Sequence, residues 1–459
     1  MTLSRSDLKS PASGRTQSVV VGRSPIPALT SLRFFAAFAV LSFHSGSSAA
    51  TATGHFPTPI LNLLRNGYLG VSFFFILSGF ILTYVYQSFD DRRSLARFYG
   101  ARFARVYPVY MLCLILIFPV LPADSVSWRA LPQFFLLQAW LPPHFRAFAN
   151  YNAQAWTLSV EMSFYVLFPF LLRRIAQLPR GGLAALTCIT AGSILLGRLS
   201  HVSDEQTLFW RALEFVPLPL LRLPEFVYGV CLALLFLGGG RSGNLPWAPH
   251  ASLALTVAVL ASSDSPWVAP VASICFGLVI HSLALHRSSH GLLAGLSSRC
   301  AVLLGSASYS LYLLELPIRE WMRVLFTGPW ELFGRSAYPL VLILLSIVVF
   351  KAFEEPARSL LNGLGRTASP PGARSPSPMP AAGSPIGHID RAHWAATSTE
   401  AEDLGPELEI GASDARASSL EMPLRRSLSA FGRGVHLLLF LRDRRRKGAY
   451  ADHRARRPR

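Results

Sequence analysis

Arg33 and His44 lie eleven residues apart in Leu29-Thr-Ser-Leu-Arg-Phe-Phe-Ala-Ala-Phe-Ala-Val-Leu-Ser-Phe-His44, a stretch otherwise dominated by apolar side chains. In a helix, eleven residues turn through about 1100°, roughly 20° past three full turns, and rise about 16 Å, so both side chains leave one face at different depths. Arginine stays charged and can hold an anion, while imidazole titrates near neutrality and can act as a general base. The alternative is that each side chain snorkels to the nearer membrane interface.

Three further groups could join them. Arg97, Arg102 and Arg105 open an apolar run; Arg102 and Arg105, three apart, share a helix face, and two guanidinium forks can grip a phosphate bidentately. Ordinary cytoplasmic charge explains the same residues without a ligand. Glu161, in Trp156-Thr-Leu-Ser-Val-Glu-Met-Ser-Phe-Tyr165, could orient His44 or accept a hydroxyl proton, or pair with an arginine of another helix. Arg222 with Glu225 reads most simply as an intrahelical ion pair, and Glu315 stands alone in Ser308-Tyr-Ser-Leu-Tyr-Leu-Leu-Glu-Leu-Pro317. The small residues Gly70, Ser72, Ser78 and Gly79 permit close helix approach, with Ser72 and Ser78 as candidate substrate-lining hydroxyls.

These residues must be positioned by membrane helices. A 459-residue chain that is 51% hydrophobic and 15% charged, with mean hydropathy +0.38, is too apolar for a water-soluble protein. Its apolar residues form runs of the length that crosses a bilayer as helix. Ten candidate spans follow, near 29–46, 68–87, 106–122, 156–172, 183–199, 218–237, 248–262, 268–285, 301–319 and 336–353. The fold class is therefore an all-α polytopic bundle of about ten spans. Ionisable groups inside such spans cost at least about 2–3 kcal/mol each, which makes them functional candidates.

Lys and Arg collect in every second loop, placing both termini in the cytoplasm and the 123–155 loop outside. Within that loop Leu131 to Trp140 is apolar but too short to span, so it reads as interfacial or re-entrant. Residues 1–27 form a cytoplasmic segment, 28–358 the transmembrane domain, and 359–459 a Pro-, Ser- and Arg-rich tail of disordered composition, with Val435 to Leu441 as a short run suited to a membrane surface. Arg33 and His44 would spoil a signal-peptide core, so the first helix is expected to be retained. The five cysteines form no CxxC pair, and neither disulfides nor a metal site are expected. The net charge of +18 matches attraction to anionic lipid, and nothing points to nucleic acid.

Taken in order, these blocks resemble the acyltransferase 3 family of bacterial membrane acyltransferases, which includes O-acetyltransferases of O-antigen and other surface glycans. Arg33 and His44 match its first-helix signature, Gly70 to Phe80 its second-helix block, and Arg102 to Pro108 its Arg-x-x-Arg block. Trp156 to Tyr165, Arg222 to Gly229 and Glu354 to Arg358 are similar to three later blocks, so the likeness spans 29 to 358. Two departures stand out: Met162-Ser163 replaces an acidic residue and Gln, and Glu315 falls where members often carry His. The resemblance implies transfer of an acyl group, usually acetyl, from a cytoplasmic donor such as acetyl-CoA, a co-substrate, to a hydroxyl of an envelope or secreted carbohydrate or glycolipid. It also implies a bacterial inner-membrane location. Catalytic roles would fall to His44, Arg33 and Glu161, and donor binding to Arg97, Arg102 and Arg105. A transporter or flippase for a glycan or lipid-linked anion would use the same intramembrane charges.

Overall fold

In the computed structural model, residues 25–53, 56–89, 91–121, 128–142, 151–199, 216–239, 245–286 and 291–367 are described. They are helical: α1 (Pro27–Thr53), α2 (Thr58–Arg65), α3 (Gly70–Val85), α4 (Arg92–Ile117), α5 (Trp156–Ile175), α6 (Arg180–Leu199), α7 (Leu218–Gly238), α8 (Ala248–Ser262), α9 (Val268–Leu285), α10 (Arg299–Leu325), α11 (Glu331–Val349) and α12 (Glu355–Thr367). Among the described residues, eight segments are long and apolar enough to cross a membrane. The expected fifth and seventh spans are the shorter apolar helices α6 and α8. Large apolar side chains such as Phe35, Ile115, Phe170 and Leu340 are exposed on these helices, as expected where the neighbour is lipid rather than water. The chain is a multi-pass membrane protein.

The described helices as far as Arg366 belong to one compact unit. The expectations for the tail beyond Thr367, including Val435 to Leu441, fall outside the described residues; α12 itself continues past 358.

Close backbone approach organises the bundle. Helices α3 and α7 pack against each other, and a Cβ on Gly79 would fall on the carbonyl oxygen of Phe226, while one on Gly229 would fall on that of Ile76. The same holds between α1 and α10, where Gly305 lies against the Thr30 carbonyl. Lipid tails are as apolar as leucine, so such tight packing, not withdrawal from water, holds spanning helices together. Above the α3–α7 contact, Phe226 stacks on Phe164 of α5 at 4.7 Å, and Phe75 meets Phe164 edge-on at 5.3 Å.

One helix starts earlier than the sequence expectation, and the 131–140 segment takes a defined form. Helix α4 begins at Arg92, well before 106, because Asp91 caps it: Ser94 N–H donates to Asp91 Oδ1 at 2.7 Å, and Asp91 N–H to Ser94 Oγ at 3.4 Å. The whole arginine run from Arg92 to Arg105 therefore stands on the helix. The 131–140 segment forms two helical turns, Leu131–Phe134 and Gln138–Trp140, tied to α4 by Tyr107 Oη donating to Phe134 O and Tyr110 Oη to Gln133 O, each at 2.7 Å. Its far end reaches two turns into α5: Ala139 N–H donates to Ser159 Oγ (3.1 Å) and Trp140 Nε1 to Ser163 Oγ (2.8 Å). Irregular backbone is tolerated at that depth because it is surrounded by protein that supplies its hydrogen bonds.

Candidate active site

Arg33 of α1, Arg102 and Arg105 of α4, Glu161 and Tyr165 of α5, Ser78 of α3 and Tyr309 and Tyr312 of α10 line one cavity of about 130 Å³. Arg33 lies within electrostatic reach of Arg105, Glu161 and Glu354. The Arg102 guanidinium sits 5.7 to 5.8 Å from the ring centres of Tyr86, Phe98 and Tyr165 and donates to Tyr86 Oη at 3.4 Å. Aromatic faces attract a cation, but they leave its N–H groups unused, and Nε of Arg102 is buried with no hydrogen-bond partner. Glu161 accepts a hydrogen bond from Tyr165 Oη.

Glu354 is buried beside this group. It accepts from Ser310 Oγ at 2.6 Å and from Arg358. It is placed by a π-helical turn, Phe350–Glu354, between α11 and α12; single π-turns often mark functional sites. Among the lining residues Arg33, Arg102 and Arg105 outnumber Glu161, so the cavity carries excess positive charge suited to an anionic ligand.

His44 belongs to a second centre. Its Nδ1 lies 3.2 Å from Gln154 Nε2 and 3.8 Å from Glu315 Oε2. Glu315 is 2% exposed, whereas the His44 side chain is 32% exposed, so the imidazole is accessible and its carboxylate partner is not. Arg319, one turn along α10, donates to Glu315 Oε1 at 2.7 Å.

One hydrogen-bonded wall joins the centres. Thr157 and Tyr312 both line the cavity. Thr157 Oγ1 lies 2.9 Å from the Gln154 carbonyl and 3.1 Å from Tyr312 Oη, and Tyr312 Oη donates to the same carbonyl at 3.3 Å. The Gln154 side chain faces His44. The segment is pinned to α10 by Asn152, whose Nδ2 donates to Leu313 O at 3.1 Å. Pro317 lacks the N–H that would otherwise take that carbonyl.

A family profile described as an acyltransferase domain (acyltransferase 3) matches residues 26–351. The chain belongs to the acyltransferase 3 family. Acyltransferase MdmB of Streptomyces mycarofaciens is 30% identical over 377 residues, covering 75% of this chain and 95% of that protein. O-acetyltransferase OatA of Staphylococcus aureus is 25% identical over 327 residues, covering 64% of this chain and 50% of that protein. Peptidoglycan O-acetyltransferase OatA of Listeria monocytogenes is 27% identical over 166 residues, 33% of this chain and 24% of that one. The chain thus matches nearly all of the first relative and half or less of the others. No solved structure matches it. It is a membrane O-acyltransferase.

Within this acyltransferase 3 bundle the structure brings together Arg33, Arg102, Arg105, Glu161 and Ser78. It separates His44 from them and gives it Gln154 and Glu315 as neighbours. Arg97 is exposed and donates from Nε to Arg93 O at 3.4 Å, one turn back on its own helix. Arg222 pairs with Glu225 at 3.0 Å, as their spacing suggests. It also donates to Ser72 Oγ at 3.1 Å and lies over the Phe75 ring, so Ser72 serves that pair. Gln154, Asn152, Thr157, Tyr312 and Glu354 were not legible as site residues. Glu354 lies in the block that closes the family resemblance, but its place beside the arginines depends on the π-turn.

Proposed function

We propose that the chain moves an acyl group, most simply acetyl, from a cytoplasmic acyl-CoA-type donor to a hydroxyl of an envelope or secreted carbohydrate. The observation that carries this reading is the pair of centres, a cationic cavity and an accessible imidazole, joined by the Thr157–Tyr312–Gln154 wall. The phosphates of such a donor are separated from its thioester by a long flexible arm, and Arg33 and His44 are separated by about 16 Å of helix rise. Arg102, with its unpartnered Nε, Arg105 and Arg33 would hold the phosphates, and the thioester would reach the His44 end. Because basic residues collect in alternate loops, that arrangement sets the cavity towards the cytoplasm, with both termini on that side of the inner membrane.

His44 then takes the acceptor hydroxyl's proton while the oxygen attacks the thioester carbonyl. The carbon–oxygen bond forms, the carbon–sulfur bond breaks, and the imidazolium returns its proton to the departing thiolate. A hydroxyl donor of the wall that the two centres share stabilises the oxyanion. The kinship with O-acetyltransferases, one of them named for peptidoglycan, supports a carbohydrate acceptor. Helices α4, α5, α7 and α10 continue through Pro108, Pro169, Pro224 and Pro317, unlike the broken helices of many transporters.

Purified protein in liposomes, given labelled acetyl-CoA and candidate glycans, should label the glycan, and His44→Ala should slow transfer by about a hundred-fold or more. Transfer at the wild-type rate in His44→Ala removes the base assignment. Movement of glycan across the vesicle with no label transferred removes the donor reading.

A further inference from the structure

We infer that Glu315, held by Arg319, is the positioning carboxylate of His44, fixing a proton on Nδ1 and leaving Nε2 as the base; this rests on the role of His44 proposed above. Two buried oxygens beside the imidazole have no hydrogen-bond donor: Glu315 Oε2, on a side chain 2% exposed, and Gln154 Oε1, on a residue 6% exposed. Glu315 Oε2 stands 3.8 Å from His44 Nδ1, and the Gln154 amide 3.2 Å from the same atom. A buried acceptor without a donor is costly. A proton on Nδ1 supplies a donor to Gln154 Oε1, once that amide is turned over, a rotation that exchanges two atoms of nearly equal size, and it faces Glu315 Oε2 across 3.8 Å as a charge contact. The neutral ring then carries its lone pair on Nε2, the nitrogen that neither partner covers. As Nε2 takes the acceptor's proton, the Glu315 carboxylate stabilises the imidazolium without itself accepting the proton.

The anchoring is built from both sides. Arg319 holds the other carboxylate oxygen at 2.7 Å, and Tyr338 of α11 donates to the Glu315 backbone carbonyl at 3.0 Å. Asn152 ties the Gln154 segment to Leu313, two residues before Glu315. Among the described residues, the charged and titratable groups around His44 are Glu315 and Arg319 on α10, Glu320 beyond Arg319 at 3.8 Å, Tyr338 on α11, and Tyr68 behind Phe43. Of these, Glu315 is the carboxylate that faces the ring.

The test is Glu315→Gln in the full chain in detergent, read first without substrate. Diethyl pyrocarbonate modifies histidine in its neutral and not its protonated form, so the rate of His44 modification against pH, followed by mass spectrometry, traces its titration. Losing a facing carboxylate makes the imidazolium harder to form, so the Glu315→Gln curve should move to lower pH by about one unit, and Glu315→Asp should return most of that shift. An unmoved curve overturns the inference whatever the enzyme transfers. In the transfer assay the same variant should lose about a hundred-fold in kcat with donor KM unchanged; wild-type kcat overturns it equally. Should Glu315→Gln fail to fold, nitrogen-15 spectra of histidine-labelled wild-type protein decide, with the His44 signals assigned by their loss in His44→Ala. Neutral His44 should carry its proton on Nδ1, and a proton on Nε2 overturns the proposal. Because titration and tautomer are read without acyl transfer, failure here is distinct from failure of His44→Ala to slow the reaction.

Discussion

Arg102 is held by three aromatic rings and one tyrosine hydroxyl, while a buried N–H of its guanidinium points at nothing. A charged hydrogen bond to a phosphate is worth about 1.5–3 kcal/mol. Arg102→Ala should therefore raise the donor KM by about ten- to a hundred-fold while leaving kcat largely intact; steady-state kinetics with labelled acetyl-CoA checks this. Arg173→Ala, at the exposed end of α5, should change neither. Equal loss in both variants would reduce the arginine cavity to general surface charge. At this scale the sequence was informative where chemistry resides in one helix: the spacing of Arg102 and Arg105 places them on one face, and they line one cavity. It was uninformative about which helix faces which. Helix α1 packs on α10, so the carboxylate beside His44 is Glu315, while Glu161 joins the arginines.

Three elements do work that no residue shows alone. The cap at Asp91 extends α4 backward through its arginine run, the π-turn at Phe350–Glu354 brings Glu354 to Ser310 of α10, and Pro317 frees the Leu313 carbonyl for Asn152. The first could be read from Asp91 and Ser94 as a capping box; the other two depend on backbone geometry and on contacts between distant segments. The Pro317–Asn152 link makes a specific demand. Asn152→Ala leaves a carbonyl unpaired at a fully buried site, at a cost of about 1–3 kcal/mol, and releases the segment that carries Gln154. The expected outcome is a lower melting temperature in detergent together with a fall in kcat, at unchanged donor KM because the arginine cavity is untouched. A variant that melts early but turns over normally would separate the Asn152 anchor from the His44 centre.

For the whole molecule, hydropathy located the helices because bilayer thickness sets their length, and among the described residues eight segments are long and apolar enough to span, with α6 and α8 shorter. What hydropathy leaves open is how they pack, since one apolar surface in lipid looks like another. The Gly70-to-Gly79 block gave the best clue, and its use is now specific: Gly79 and Gly229 each admit a backbone carbonyl of the other helix. On the same two helices, Phe75 of α3 lines the cavity and meets Phe164, which stacks on Phe226 of α7. Enlarging Gly229 must push α7 from α3, because the atom in its way is the Ile76 carbonyl, which has no rotamer to change. Overpacking costs about 1–3 kcal/mol where side chains can yield, and more is expected where only backbone can move. Gly229→Val should lower the melting temperature markedly and open the cavity, raising donor KM, whereas Gly181→Val, whose Cβ would meet nothing within 4 Å, should do neither. Equal melting temperatures in the two variants would mean that α3 and α7 are not held at the distance seen here, and the cavity would need another scaffold.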